Sequence, residues 1–245
     1  MRQPISVAMA VYNGLPFLYE QMASVLAQLR LDDELVIVDD SSTDGSLTWL
    51  KTLSDARIVL LTNESNLGVQ RSFERALNAC TRPVVLLCDQ DDIWLPGKRD
   101  ALAAIFLSMP EAMVVVSDAQ IIDAQGKIVA PSFMATRGGF RSGIHSTLWR
   151  NRYLGCAMAV RREVIAAALP IPRQAPMHDM WLGIVGRALG EVGYIPTPLL
   201  QYRRHSKNAS PSTRRGWARM LAWRLQLLLA MGQRLTTLLR ARRAL

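Results

Sequence analysis

The residues best suited to chemistry in this 245-residue chain are acidic and sit just after apolar runs. Asp89, Asp91 and Asp92 fall within the four positions Asp89-Gln90-Asp91-Asp92, directly after Pro83–Cys88. Carboxylates this close repel one another, so something must neutralise them. One answer is a divalent cation held by one or two carboxylates plus substrate phosphates, as magnesium and manganese commonly bind. The other is a solvated acidic turn in which Asp92 caps the next element. A second pair, Asp39-Asp40, closes the run Leu35–Val38, and Tyr12-Asn13-Gly14 breaks the run Ile5–Val11. Later, His178-Asp179 follows a proline-rich approach, and Tyr202-Arg203-Arg204-His205 precedes Asn208.

These groups must be carried by elements, and the first half of the chain spells them out. The β-branched apolar runs at 5–11, 35–38, 57–62 and 83–88 read as buried strands. Between them lie segments with helix-start chemistry: Pro16, the Ser41–Gly45 turn, and Asn66-Leu67-Gly68. Four strand-then-helix alternations with short connections predict a parallel sheet with right-handed crossovers. Ligands of such sheets bind beyond the strands' carboxyl ends, so Tyr12-Asn13, Asp39-Asp40 and Asp89 to Asp92 should converge on one crevice. The second half is less regular. Helices are expected over about 98–109, 162–168 and 180–189, and strands over 113–116 and within 154–160. Residues 123–153 read as loop with a short hairpin at most, and Pro196 and Pro198 bound a short strand-like piece.

Composition narrows the function. Half the residues are hydrophobic and a fifth charged, which is globular composition. Cys80, Cys88 and Cys156 are too few and too scattered for a disulfide framework or a zinc site, and reduced cytosol is the simple expectation. The N-terminus leads straight into a strand-like run, so no signal peptide is expected, and no apolar run reaches the roughly 18 residues of a spanning helix. No G-x-G-x-x-G, P-loop or G-x-S-x-G pattern occurs, which disfavours a dinucleotide dehydrogenase, a P-loop phosphotransferase and a serine hydrolase of the elbow type.

Ala10–Gly14, Val38–Gly45, Asn66-Leu67-Gly68 and Asp89–Trp94, in this order and spacing, resemble glycosyltransferase family 2, the inverting enzymes of the GT-A fold. The likeness covers about residues 4 to 208. The Asp-Gln-Asp-Asp-Ile-Trp form is similar to rhamnosyltransferase-type members of bacterial cell-surface polysaccharide and O-antigen pathways. The resemblance implies a mainly parallel, Rossmann-like α/β sheet flanked by helices. It implies a catalytic domain over residues 1–208, with a nucleotide-binding half at 1–95 and an acceptor half at 96–208. It implies a nucleotide-diphosphate-sugar donor, dTDP- or UDP-linked and with rhamnose as the guess, and a glycan or lipid-linked saccharide acceptor. Mg2+ or Mn2+ is the implied cofactor.

Carried over residue by residue, Tyr12 and Asp40 become contacts to the donor's base, with Val11, Asn13, Gly68, Arg71, Asp89 and Gln90 as further donor contacts. Asp89-Gln90-Asp91 is similar to the family's Asp-x-Asp motif: Asp91 is the direct metal ligand, and Asp89 supports it. Asp179 takes the place of the catalytic base. Arg203-Arg204-His205 resembles an element that closes over the diphosphate or the metal, with Arg203 as a donor contact and His205 in the metal set, and any of the three could meet the diphosphate. One departure is His178 before Asp179, where many members carry Glu. Plainer readings stand beside these: Tyr12 as a half-buried aromatic, Asp39 as a turn cap, Asp179 as a helix cap, His205 as a surface histidine, Gly155-Cys156 as a small-residue wall. Two other functions remain open, a sugar-phosphate nucleotidylyltransferase and a non-catalytic, membrane-associated nucleotide-sugar-binding protein.

Charge sets the C-terminus apart. The net charge is +9, and the residues from Arg214 onward hold eight arginines, with no acidic residue after Glu191. The rest of the chain is nearly balanced, which disfavours a nucleic-acid binder. Residues 209–245 read as a basic amphipathic helical tail with interfacial Trp217 and Trp223. Its expected partner, through 214–245, is an anionic membrane surface, placing the protein in the cytoplasm at the inner face of the membrane. A helix packed on the domain or on a homodimer partner is the alternative.

Overall fold

The computed structural model describes residues 3–173, 175, 177–206, 208, 227, 229–232 and 234. Its strands are β1 (Ile5–Val11), β2 (Glu34–Asp39), β3 (Ile58–Thr62), β4 (Val84–Cys88), β5 (Ile93–Trp94), β6 (Ala112–Ile122), β7 (Ile128–Ala130), β8 (Met158–Arg161) and β9 (Glu191–Arg203). Its helices are α1 (Phe17–Leu26), α2 (Ser46–Leu50), α3 (Val69–Ala79), α4 (Lys98–Ser108), α5 (Phe133–Thr136), α6 (Ile144–Trp149), α7 (Arg162–Ala168) and α8 (His178–Leu189), with a 3-10 turn at Gly155–Ala157.

The strands join one mixed sheet in the order β3-β2-β1-β4-β8-β6-β9-β5, with β7 on β6. The first four are parallel, as the alternating pattern requires. Every residue of β2 and β4 is buried, because helices cover both faces. The period of two then divides each strand between two cores. Ala8, Val36 and Val85 pack with Phe73, Leu77 and Trp181 on one face. Val7, Met9 and Ile37 pack with Leu18, Met22 and Phe106 on the other.

The second half departs from expectation in instructive ways. The short piece around Pro196 and Pro198 is the middle of β9, which runs parallel to the whole length of β6. The register slips there: Ser117 pairs with Ile195, and Asp118 with Pro198. The two intervening residues bulge out of the ladder, so a proline without an N–H costs no sheet hydrogen bond. β6 is correspondingly longer than 113–116. The stretch 123–153 holds β7, α5 and α6 rather than loop alone. α8 starts at His178, not Met180. β5 is two residues long and exists because it pairs with Leu200 and Gln201.

No helix among the described residues is long and apolar enough to cross a membrane. The amphipathic tail expected over 209–245 lies mostly outside the described residues. Within it, Leu227 is buried, Ala230 is nearly so, and Arg234 donates to the carbonyls of Leu169 (2.8 Å) and Pro170 (2.7 Å).

Candidate active site

The ends of β1, β2 and β4 meet as the topology demands. Their polar residues line a cavity of about 330 Å3 that includes Val11, Tyr12, Asp40, Gly68, Asp89, Gln90, Asp91 and Asp179. The loops that follow these strands are stitched to each other before any ligand arrives. Asn13 holds a left-handed backbone (φ 49°). Its N–H donates to Ser42 Oγ at 3.0 Å, and its Oδ1 accepts from the Thr43 N–H at 2.8 Å. Asp44 Oδ2 accepts from the Leu15 N–H, and Asp39 Oδ1 from the Ser42 N–H, both at 3.0 Å. Asn13 and Asp39 therefore shape the rim.

The Gln90 side chain forms a reciprocal pair with Tyr12: its Oε1 accepts from the Tyr12 N–H at 2.8 Å and its Nε2 donates to the Tyr12 carbonyl at 3.1 Å. A Cβ at Gly14 would stand 2.9 Å from that Oε1, so glycine is what admits the brace. Tyr12 is left 46% exposed at the cavity edge, an aromatic residue of the kind on which a base stacks. Asp40 is buried, with Oδ1 accepting from Asn63 Nδ2 (2.6 Å) and the Leu67 N–H (2.9 Å), and Oδ2 from the Gly68 N–H (2.8 Å). A carboxylate offers about four acceptor positions, so one remains for a donor group in the cavity. Arg71 turns the other way: Nη1 meets Glu74 Oε2 at 2.6 Å and the Ile171 carbonyl at 3.2 Å, and the side chain lines a neighbouring groove.

The acidic turn divides its labour. Asp91 Oδ2 lies 2.7 Å from His205 Nε2 and accepts from Asn208 Nδ2 at 3.1 Å. The imidazole is held by stacking on Phe17, with ring centroids 4.9 Å apart. Arg203 lies over the same ring, donates to the Asp91 carbonyl at 2.9 Å and pairs with Glu20, so it braces the turn from behind. Asp92 is fully buried and accepts from the Arg203 N–H at 2.8 Å, tying β9 to the turn. Burial, then the neighbouring Asp91, pushes its pKa up to about 7. Asp89 is held well above the usual carboxylate range, by burial first and then by Asp92 and Asp91. Beneath them the buried Lys98 ammonium donates to the Cys156 carbonyl and sits 4.5 Å from the Trp94 ring centroid.

Two sets of groups could hold a cation. Ligand atoms of Asp89, Asp92 and Cys156 lie within 4.8 Å of one another. However, burial drives the Cys156 thiol far above its ordinary pKa, so it stays protonated and ligates poorly. Asp91 offers the carboxylate oxygen that suits magnesium or manganese, with the His205 imidazole beside it as a nitrogen donor.

His178 and Asp179 open α8. Asp179 lies in the first turn, where the helix dipole favours an anion, and Oδ1 accepts from the Met180 N–H and from Asn151 Nδ2 (3.4 Å). Burial nevertheless wins and raises its pKa to about 6. His178 stacks on Phe73 at 4.0 Å, and neither ring nitrogen has a hydrogen-bond partner among the described residues. Burial lowers its pKa to about 3, so the ring is neutral. Gly155 stands against both: a Cβ there would lie 3.3 Å from His178 Nε2 and 3.4 Å from Asp179 Cβ.

Asp179 faces a second cavity as well. This cavity, also about 330 Å3, shares Leu154, Met177, Asp179 and Tyr202 with the first. Sequence reasoning did not single out this cavity, nor Asn208 as a partner of Asp91. The arrangement offers what a group transfer needs: an acid-rich turn for a leaving anion, and a carboxylate poised near neutrality between two spaces.

Comparison with known proteins agrees. Residues 6–168 match the family described as Glycosyl transferase family 2. The amylovoran biosynthesis glycosyltransferase of Erwinia amylovora is 30% identical over 225 residues, covering 86% of this chain and 80% of that protein. A UDP-Glc:alpha-D-GlcNAc-diphosphoundecaprenol beta-1,3-glucosyltransferase of Escherichia coli is 26% identical over 187 residues, covering 74% and 69%. An uncharacterized glycosyltransferase of Nostoc is 30% identical over 215 residues, covering 83% of this chain, which spans 66% of the relative's length. The crystal structure of S. aureus TarS 1-349 with UDP-GlcNAc superposes with a TM-score of 0.73 at 15% identity, covering 92% of this chain and 66% of that one. At that identity the likeness speaks for the fold, and it is the expected GT-A fold. On the match over 6–168, the chain belongs to glycosyl transferase family 2.

Proposed function

We propose that this chain transfers a sugar from a nucleotide-diphosphate-sugar in the first cavity to a hydroxyl of a saccharide acceptor, free or lipid-linked, in the second, with inversion at the anomeric carbon. The observation that carries the reading is the place of Asp179 in the wall common to both cavities. From there its carboxylate takes the proton of the incoming hydroxyl as the new bond forms on the face away from the leaving diphosphate. A pKa of about 6 keeps it ionised at neutral pH yet basic enough to accept that proton. Tyr12 and Asp40 bind the nucleoside base, by stacking and by the remaining carboxylate position. The neutral His178 gives and takes one hydrogen bond with the sugar between them.

Asp91, with His205 and with Asp89 in support, would hold Mg2+ or Mn2+, which supplies charge neutralisation for the departing diphosphate. Support for the donor class comes from relatives named for UDP-Glc and from the TarS complex with UDP-GlcNAc. A UDP-linked donor is therefore the first choice over dTDP-rhamnose. The test is transfer from a panel of UDP- and dTDP-sugars, followed by mass spectrometry, for the parent chain and Asp179→Asn. The reading expects product from the parent alone, with UDP affinity within about twofold in both, since the base contributes roughly 100-fold or more to rate. Transfer by the variant near the parental rate would remove Asp179 from its role.

A further inference from the structure

Asp179 is the sole carboxylate among the described residues lining the second cavity; the other charged groups there are Arg137 and Arg204. Arg137 follows α5, with its guanidinium 4.9 Å from the Phe133 ring centroid. Arg204 is fixed by donating to Tyr202 Oη at 3.0 Å. Arg150 and Arg152 crowd the same corner, donating to the Arg137 carbonyl at 3.3 Å and 3.4 Å. Among the described residues, none of these four arginines forms an ion pair with a carboxylate. Burial, then repulsion from Arg150 and from Arg204 and Arg152, holds Arg137 below the ordinary guanidinium pKa. Positive charge gathered this way costs stability unless an anion offsets it.

The donor's diphosphate is not that anion. Neither Arg137 nor Arg204 lines the first cavity, and Asp179 and Tyr202 stand in the wall between them and the Asp89–Asp91 turn. The guanidinium fork matches phosphate oxygens, and Leu154 and Phe133 give the same cavity an apolar side. We propose that the second cavity is an anion subsite in which Arg137 and Arg204 bind a phosphate or diphosphate carried by the acceptor, beside the hydroxyl that Asp179 activates. This rests on the reading of the second cavity as the acceptor's. The phosphate has two possible sources, a soluble sugar phosphate or the diphosphate headgroup of a lipid-linked saccharide.

Calorimetric titration of the full chain, with the first cavity saturated by UDP and Mg2+, tests the proposal with three probes: inorganic pyrophosphate, decyl diphosphate, and the uncharged decyl glucoside. Both diphosphates should bind, and more tightly than decyl glucoside. Arg137→Gln and Arg204→Gln should each weaken them by about ten- to a hundred-fold, the loss expected for a charge-assisted pair. Arg137→Lys, which keeps the charge, should recover part of the loss and guards against misfolding as the cause. Equal binding of the two diphosphates points to a soluble phosphorylated acceptor, and clearly tighter decyl diphosphate to a lipid-linked one. If UDP binds but the diphosphates bind no better than decyl glucoside, or if the Gln variants bind them as the parent does, the subsite is refuted. If UDP itself does not bind, the donor reading has failed instead.

Discussion

Replacing Asp179 by Asn should stop transfer and, at neutral pH, make the protein more stable. Asp179 is buried, 8% exposed, and burial lifts its pKa from 3.8 to about 6. A shift of that size corresponds to about 3 kcal/mol, at about 1.4 kcal/mol per unit, spent on holding an anion in a dry wall. The sign follows from proton binding. Between about pH 4 and about pH 6 the folded chain holds this proton while the unfolded chain has released it. Stability contributed by this group is therefore greatest below that window, falls as pH rises through it, and is lowest and constant above about 6. Asn removes the anion and keeps an acceptor for the Met180 N–H, so about 1–3 kcal/mol should be gained near pH 8 and almost nothing near pH 4. For a chain of this size that is a rise in Tm of roughly 2–10 °C. Differential scanning calorimetry across that pH range reads the effect, and kcat/KM of the parent should climb about tenfold per pH unit up to about 6, then level. A Tm for the Asn variant at or below the parent's near pH 8, together with a pH–rate profile flat between about 5 and 7, would refute the reasoning.

Asp91→Asn should abolish the added thermal stabilisation that Mn2+ gives to a UDP complex while leaving the Tm of the chain alone within a few degrees, as read by thermal shift; undiminished Mn2+-dependent stabilisation would move the cation elsewhere. Gly14→Ala places a methyl 2.9 Å from Gln90 Oε1 and should break the brace on Tyr12, costing about 1–3 kcal/mol in denaturant unfolding and weakening UDP binding. The basic tail is expected to carry the chain onto anionic vesicles: the full chain should float with phosphatidylglycerol liposomes and a chain lacking residues 214 to 245 should not, and equal flotation of the two removes that role.

The crevice at the sheet's end was legible because Tyr12, Asp40 and Asp89 to Asp91 each follow a buried strand closely. Once Ile5–Val11, Leu35–Val38 and Val84–Cys88 are read as parallel strands, Tyr12, Asp40 and Asp89 to Asp91 have nowhere to go but one crevice. What escaped depends on partners far along the chain. β5 is two residues long and owes its existence to β9. Pro196 and Pro198 look like strand breakers, and a register slip against β6 leaves Pro196 outside the ladder. Asn208 becomes a partner of Asp91 through contacts more than a hundred residues apart in sequence. Arg71 matched a pattern by position, but Glu74, one helical turn away, and the Ile171 carbonyl take its guanidinium. The second cavity is assembled from α5, the 150–154 segment, the start of α8 and the end of β9, a convergence that no local periodicity announces.

In the proposed function a nucleoside diphosphate sits among Tyr12, Asp40 and Asp91, with Asp179 beyond it. Calorimetric titration of UDP in the presence of Mn2+ tests this most directly. One site per chain is expected, with binding lost in Asp40→Ala and Asp91→Asn and kept within about twofold in Asp179→Asn, whose carboxylate acts on the other substrate. Binding that survives Asp40→Ala and Asp91→Asn, or that vanishes in Asp179→Asn, would contradict it.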